Sequence, residues 1–217
     1  MMTLILIDSC SDVSNKSKKI IAIGDSNGAF DYGWVAQLQK LLPNDVIYNT
    51  SVSGNTIGFD NLGYADLNTL KSLNTYLVRA KDSLKSVDDV VIMLGTNDSK
   101  YVFRDQQDEV LVNMNTLVSR IKSFFGSGKE PKIIIVAPPP YGDDSILADK
   151  YKGGNQRVEM LSVKYKKLAE ENQCEFVDIY SKLKDTFMQY STDGIHLNEK
   201  GQRIIATEIV KKLNELE

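Results

Sequence analysis

Lys19-Ile20-Ile21-Ala22-Ile23-Gly24-Asp25-Ser26-Asn27 is the stretch that decides the fold. Four consecutive apolar residues, three of them isoleucine, end at a glycine, and a polar turn follows at once. A run this short and continuous fits a strand buried on both faces, as in the middle of a parallel sheet. Runs of the same kind return at 45–49 (DVIYN), 89–94 (DVVIML), 132–137 (KIIIVA) and 174–179 (CEFVDI). Between them lie helical patterns at 34–42, 67–84, 108–125, 156–171 and 199–216. In Val110, Met114, Leu117, Ile121 and Phe124 the apolar positions recur every three or four residues, which gives one face to pack on a sheet. This alternation predicts an α/β chain: a single three-layer α/β/α domain over 19–217 with right-handed crossovers, preceded by a tail at 1–18.

The 217 residues suffice for one well-packed domain and are few for two. Apolar residues at 42% and charged residues at 25% are ordinary for a globular protein. A net charge of −3 gives no electrostatic case for nucleic acid, whose binders carry a basic face. No apolar run approaches the ~20 residues that span a bilayer. The two cysteines are Cys10 and Cys174; the second falls in an expected strand and reads as a buried, inert thiol. The start, Met1 to Cys10 (MMTLILIDSC), is a short apolar run ending in a small residue and then cysteine. It resembles the end of a bacterial lipoprotein signal, in which that cysteine is acylated, with Ser11 to Lys19 as a polar tether. No basic residue precedes the run, and Asp8 stands where a small neutral residue is usual. The expectation is a bacterial cell-envelope protein, a lipoprotein anchored to the membrane through Cys10 or a periplasmic one; the alternative is an apolar tail on a cytoplasmic enzyme.

In open parallel sheets ligands bind beyond the carboxyl ends of the strands. Gly24-Asp25-Ser26-Asn27 follows the first strand, Ser51-Val52-Ser53-Gly54-Asn55-Thr56 the second and Gly95-Thr96-Asn97-Asp98 the third, so all three converge on one rim. Pro138-Pro139-Pro140 cannot continue a ladder and forces an abrupt exit from the fourth. The loop it opens, running through Gly153-Gly154, reads as the longest irregular stretch.

His196 is the only histidine, three residues after Asp193 in Asp193-Gly194-Ile195-His196. Imidazole suits proton transfer near neutrality, and a carboxylate at i−3 is placed to hold its tautomer. Ser26 is the candidate nucleophile: it follows a buried strand, where a helical turn would aim N–H groups at developing negative charge. The bland reading of Ser26 is a helix N-cap. Gly54 could bring an unobstructed N–H to an oxyanion, or simply make a turn. Asn97 could donate its side-chain amide there, or belong to a polar turn. One histidine and scattered carboxylates offer no metal-ligand spacing.

Taken together, these four blocks resemble the SGNH (GDSL-type) hydrolases, in family order and across about 19–216. The resemblance implies a flavodoxin-like five-stranded parallel sheet in the order 2-1-3-4-5. It also implies Ser26 as nucleophile, His196 as general base and then acid, and Asp193 as its orienter. The Ser26 and Gly54 N–H groups with the Asn97 amide would form the oxyanion hole, and no cofactor would be needed. The stretch 91–104 (VIMLGTNDSKYVFR), with Ala137-Pro138-Pro139-Pro140 and Lys152-Gly153-Gly154-Asn155, looks closest to the arylesterase-like branch. Asn27 departs from the leucine of the family name, which bears on branch and substrate. The expected substrate is a short-acyl ester, such as an acetylated carbohydrate, because no inserted lid or long apolar loop is visible to enclose a fatty chain. Trp34, Phe59, Tyr64, Phe103 and Tyr141 would line its pocket or pack at the sheet rim. A longer-chain thioesterase or lysophospholipase, and a non-catalytic carbohydrate-binding protein, are the competing readings.

Overall fold

A computed structural model describes residues 17–128 and 130–216. Cys10, and with it the expected lipid anchor and nearly all of the tail, lies outside the described residues. Five strands form one sheet: β1 (Lys19–Gly24), β2 (Val46–Asn49), β3 (Asp89–Met93), β4 (Lys132–Val136) and β5 (Glu175–Val177). Every pairing is parallel and the order is β2-β1-β3-β4-β5, as the resemblance implied. Seven α-helices accompany them among the described residues: α1 (Ser26–Ala29), α2 (Trp34–Leu41), α3 (Thr69–Leu84), α4 (Gln107–Phe125), α5 (Gly154–Glu171), α6 (Ile179–Leu183) and α7 (Glu199–Glu215).

Alternation along each central strand divides the core in two. Ile21, Ile23, Val90, Ile92, Ile133 and Ile135 face one layer, where they meet Leu73 and Leu77 of α3, Val110 and Met114 of α4, and Leu161 and Tyr165 of α5. Ile20, Ala22, Val91, Met93, Ile134 and Val136 face the other, against Trp34 and Leu38 of α2 and Ile205, Ile209 and Leu213 of α7. Apolar side chains on both faces are why these strands read as unbroken hydrophobic runs.

Two elements depart from the sequence expectation at the end of β5. The strand stops at Val177 because Asp178 turns the chain: its carboxylate accepts the Ser181 N–H (2.9 Å) as an N-cap. Ile179, Tyr180 and Leu183 then bury from a helix rather than a strand, an ambiguity inherent in short apolar runs. Cys174 sits just before β5, half-buried, and burial pushes its thiol up from its ordinary value. The longest irregular stretch is also not the one after the prolines. The 50–68 connection from β2 to α3 exceeds the 137–153 connection from β4 to α5.

Candidate active site

Ser26 opens α1, and the residue before it builds the turn. Asp25 is extended, fully buried, and accepts the Asn27 N–H on its carboxylate (3.0 Å), as an N-cap should. Gly24 lets the β2 loop come close: a Cβ there would stand 2.8 Å from Ser51 Oγ. That loop is drawn onto the end of β1 by two bonds to the Gly24 carbonyl, from the Val52 N–H (3.2 Å) and the Asn55 side-chain amide (3.3 Å).

The histidine arrives from the other end of the chain, on the loop between α6 and α7. Asp193 shapes that loop by accepting the N–H groups of Ile195 (2.9 Å) and His196 (2.8 Å) on Oδ1. Its Oδ2 is 2.6 Å from His196 Nδ1, and His196 Nε2 is 3.0 Å from Ser26 Oγ. With Nδ1 protonated, the ring donates to Asp193 and accepts the serine hydroxyl, so one line of hydrogen bonds runs from hydroxyl to carboxylate. Partial burial acts to raise the Asp193 carboxyl, but the His196 N–H, the His196 ring and the Ile195 N–H outweigh it, leaving the group below its ordinary value. The Phe30 ring packs against the imidazole at 5.4 Å between centroids.

Asn27, the position without a sequence-derived role, ties the two ends together. Its Oδ1 accepts the Leu197 N–H (3.3 Å) and the Gln202 side-chain amide (2.6 Å), joining α1 to the residue after His196 and to α7.

Gly54 and Asn97 come to the same strand ends. Gly54 has φ of +91°, a left-handed conformation that glycine adopts without penalty, so the turn reading of this residue holds whatever else it does. Asn97 is buried, and its amide donates to the Asn55 carbonyl (3.0 Å). The loops after β1, β2 and β3 are therefore laced to one another around Ser26. Behind them lie buried charges, among them Asp98, whose sequence context reads as a structural hydrogen-bonder in a polar turn and which does hold a backbone N–H. Burial pushes the fully buried Asp98 up to about 7, although the Ile57 N–H (2.9 Å) favours its charged form. Burial likewise raises Asp25. Lys100 is buried too, which brings its ammonium down to about 8, and its Nζ donates to Asn61 Oδ1 (3.0 Å).

Most of the expected pocket aromatics pack elsewhere. Trp34 is fully buried in the α2–α7 layer, and Phe59 and Phe103 stack at 4.4 Å in the opposite one. Tyr141 is buried and donates to the Thr96 carbonyl. Only Tyr64 of the five is exposed. Asn55, Asn61 and Lys100 were missed as contributors. Lys100 lay inside a quoted motif with no chemistry assigned, and an asparagine in a long loop carries no pattern that singles it out. Among the described residues, no group of three or more His, Cys, Asp or Glu is placed to hold a metal ion.

Residues 20–204 match the GDSL-like lipase/acylhydrolase family. The chain belongs to that family. As a GDSL-type protein it is a carboxylic ester hydrolase on the SGNH fold. A GDSL esterase/lipase of Arabidopsis thaliana is 27% identical, over 91% of this chain and 86% of its own length. Est24, a carbohydrate acetylesterase from Sinorhizobium meliloti, superposes with a TM-score of 0.73 at 26% identity, covering 93% of this chain and 100% of that one. The native aryl esterase of M. smegmatis gives a TM-score of 0.75 at 26% identity, with coverage of 93% and 100%.

Proposed function

We propose that this GDSL-type hydrolase cleaves short-acyl, acetyl-type esters, acetylated carbohydrates among them, through an acyl-enzyme on Ser26. The observation that carries the proposal is the line Ser26 Oγ, His196 Nε2, His196 Nδ1, Asp193 Oδ2, with contacts of 3.0 and 2.6 Å. In the first step Ser26 Oγ bonds to the ester carbonyl carbon while its proton passes to His196 Nε2. Asp193 holds the ring and stabilises the imidazolium that forms. The Ser26 and Gly54 N–H groups and the Asn97 amide receive the negative charge on the carbonyl oxygen. His196 returns the proton to the departing alcohol; water, activated by the same ring, then releases the acid. No cofactor enters the scheme.

A likeness to a carbohydrate acetylesterase and to an aryl esterase supports the acetyl-type substrate. A series of p-nitrophenyl esters from acetyl to dodecanoyl tests it. kcat/KM is expected to be greatest at acetyl or butanoyl, and Ser26→Ala to lower turnover at least ~10³-fold in a folded protein. Preference for octanoyl or longer would favour a thioesterase or lysophospholipase, and undiminished turnover in Ser26→Ala would remove Ser26 from the mechanism.

A further inference from the structure

Lys100 is a buried cation with no part in the scheme above, and its hydrogen bonds lead to Gly54. Its Nζ donates to Asn61 Oδ1 (3.0 Å), and the Asn61 side-chain amide donates to the Gly54 carbonyl (2.6 Å). Both side chains are almost wholly inaccessible to solvent: Asn61 at 1% and Lys100 at 4%. The turn that presents Asn61 is held in an unusual shape, since Leu62 has φ of +57° and Gly63 φ of +79°. For leucine that conformation is strained, and it persists only where the surroundings impose it. The surroundings here are firm. Asp60 is bonded to Lys71 (2.6 Å) and Asn68 (2.9 Å), and Asn68 caps α3 and reaches the Gly58 carbonyl (2.8 Å).

We propose that Lys100 is a positioning residue for the oxyanion hole: acting through Asn61, it fixes the orientation of Gly54. A glycine has no side chain to limit its own rotation, so its carbonyl bond to Asn61 is what holds the peptide on that side. The neighbouring carbonyl, that of Asn55, is held by Asn97. The Gly54-Asn55 segment is thus braced from the β3 loop at two carbonyls, that of Asn55 by Asn97 and that of Gly54 by Asn61, which Lys100 holds. A charge-assisted bond is about twice as strong as a neutral one, which is a reason for a cation rather than a hydroxyl at the far end. The charges facing Lys100 are Asp98 and Asp25, which favour its ammonium, and Lys150, which opposes it; the Tyr151 ring lies 5.6 Å from Nζ. With the ammonium lost near pH 8, the bond to Asn61 weakens to a neutral one.

This inference rests on the reading of the Gly54 N–H as an oxyanion donor, and its test separates the two. Lys100→Met and Asn61→Asp are compared with the wild-type chain on p-nitrophenyl acetate, and the Gly54 amide is followed in 15N–1H spectra. Asn61→Asp keeps an acceptor for Lys100, and so a partner for the buried cation, but has no donor for the Gly54 carbonyl. Both variants are expected to lose ~10–10² in kcat, less than outright removal of an oxyanion donor, with KM within about twofold. Lys100→Arg restores most of the rate, and the wild-type kcat declines a few-fold above pH 8 where that of Lys100→Met does not. The Gly54 amide resonance shifts in both variants. A Gly54 resonance unmoved in either variant would overturn the relay itself, independently of any turnover. A shifted resonance with wild-type kcat would show that orienting Gly54 does not serve catalysis and would overturn the proposal too.

Discussion

Asp98 shows how a single side chain can be built into the floor of the site at a cost in stability. It is completely buried, its Oδ1 holds the Ile57 N–H, and burial lifts its carboxyl from 3.8 to about 7. A carboxyl raised on folding contributes stability that is full below its unfolded value and is lost as pH rises through the folded one. The window is therefore about pH 4 to 7. Asp98→Asn retains the acceptor for Ile57 but does not ionise, so its stability relative to wild type should improve by a few kcal/mol, in order of magnitude, between pH 4 and pH 8. Urea melts at those two pH values check it; a difference between the proteins that does not change with pH would mean that Asp98 titrates normally. At this scale the sequence was partly legible. A lone histidine is more often structural than catalytic, but no other imidazole is present to serve as a general base, and the loop closes as the spacing to Asp193 suggests, with the carboxylate holding both backbone and ring. Asn61 and Lys100 were illegible because their meaning is a pair of hydrogen bonds, one across 7 residues of an irregular loop and one across 39, that leaves no periodic pattern.

At the scale of elements, the site depends on how a four-residue helix meets the loop ahead of α7. Asn27 makes that junction: one side-chain oxygen accepts from Leu197 and from Gln202, across 170 and 175 residues of chain. Removing it leaves a buried N–H without its acceptor, which costs ~1–3 kcal/mol, and frees the loop bearing His196 to drift from Ser26. Asn27→Ala should keep the fold and lose ~10–10² in kcat/KM, because misplacing a catalytic group by about 1 Å costs on that order. Circular dichroism together with esterase kinetics checks it, and wild-type rates in a destabilised variant would confine Asn27 to packing. The helical turn expected at Ser26 is α1, whereas α6 was not foreseen. Four or five residues are too few to show a helical period, and what forms them is capping by Asp25 and Asp178, a signal that also fits any turn. The longer helices were foreseen to within a few residues, since α4 and α7 repeat their apolar positions over four turns or more.

Across the whole molecule, a parallel sheet does the work of assembly. It sets β1 between β2 and β3, so the loops after all three open on one edge, and the loop ahead of α7 brings His196 to the same edge. This architecture was legible because burying a sheet on both faces demands unbroken apolar runs, and five such runs alternating with amphipathic helices admit few other packings. The sheet order came from the family resemblance carried by the four motif blocks. The pocket aromatics did not follow: Trp34, Phe59 and Phe103 are near the motifs in sequence, yet Trp34 from the start of α2, Phe59 from the β2–α3 loop and Phe103 from the turn before α4 all enter the two core layers. Ser26, whose hydroxyl meets an imidazole 170 positions along the chain, is the nucleophile proposed for this esterase. Treatment with a fluorophosphonate, followed by peptide mapping of the adduct, tests it most directly. A single phosphonylated residue at Ser26, formed far more slowly in His196→Ala, is the predicted result; a folded protein that hydrolyses esters while Ser26 stays unlabelled would contradict it.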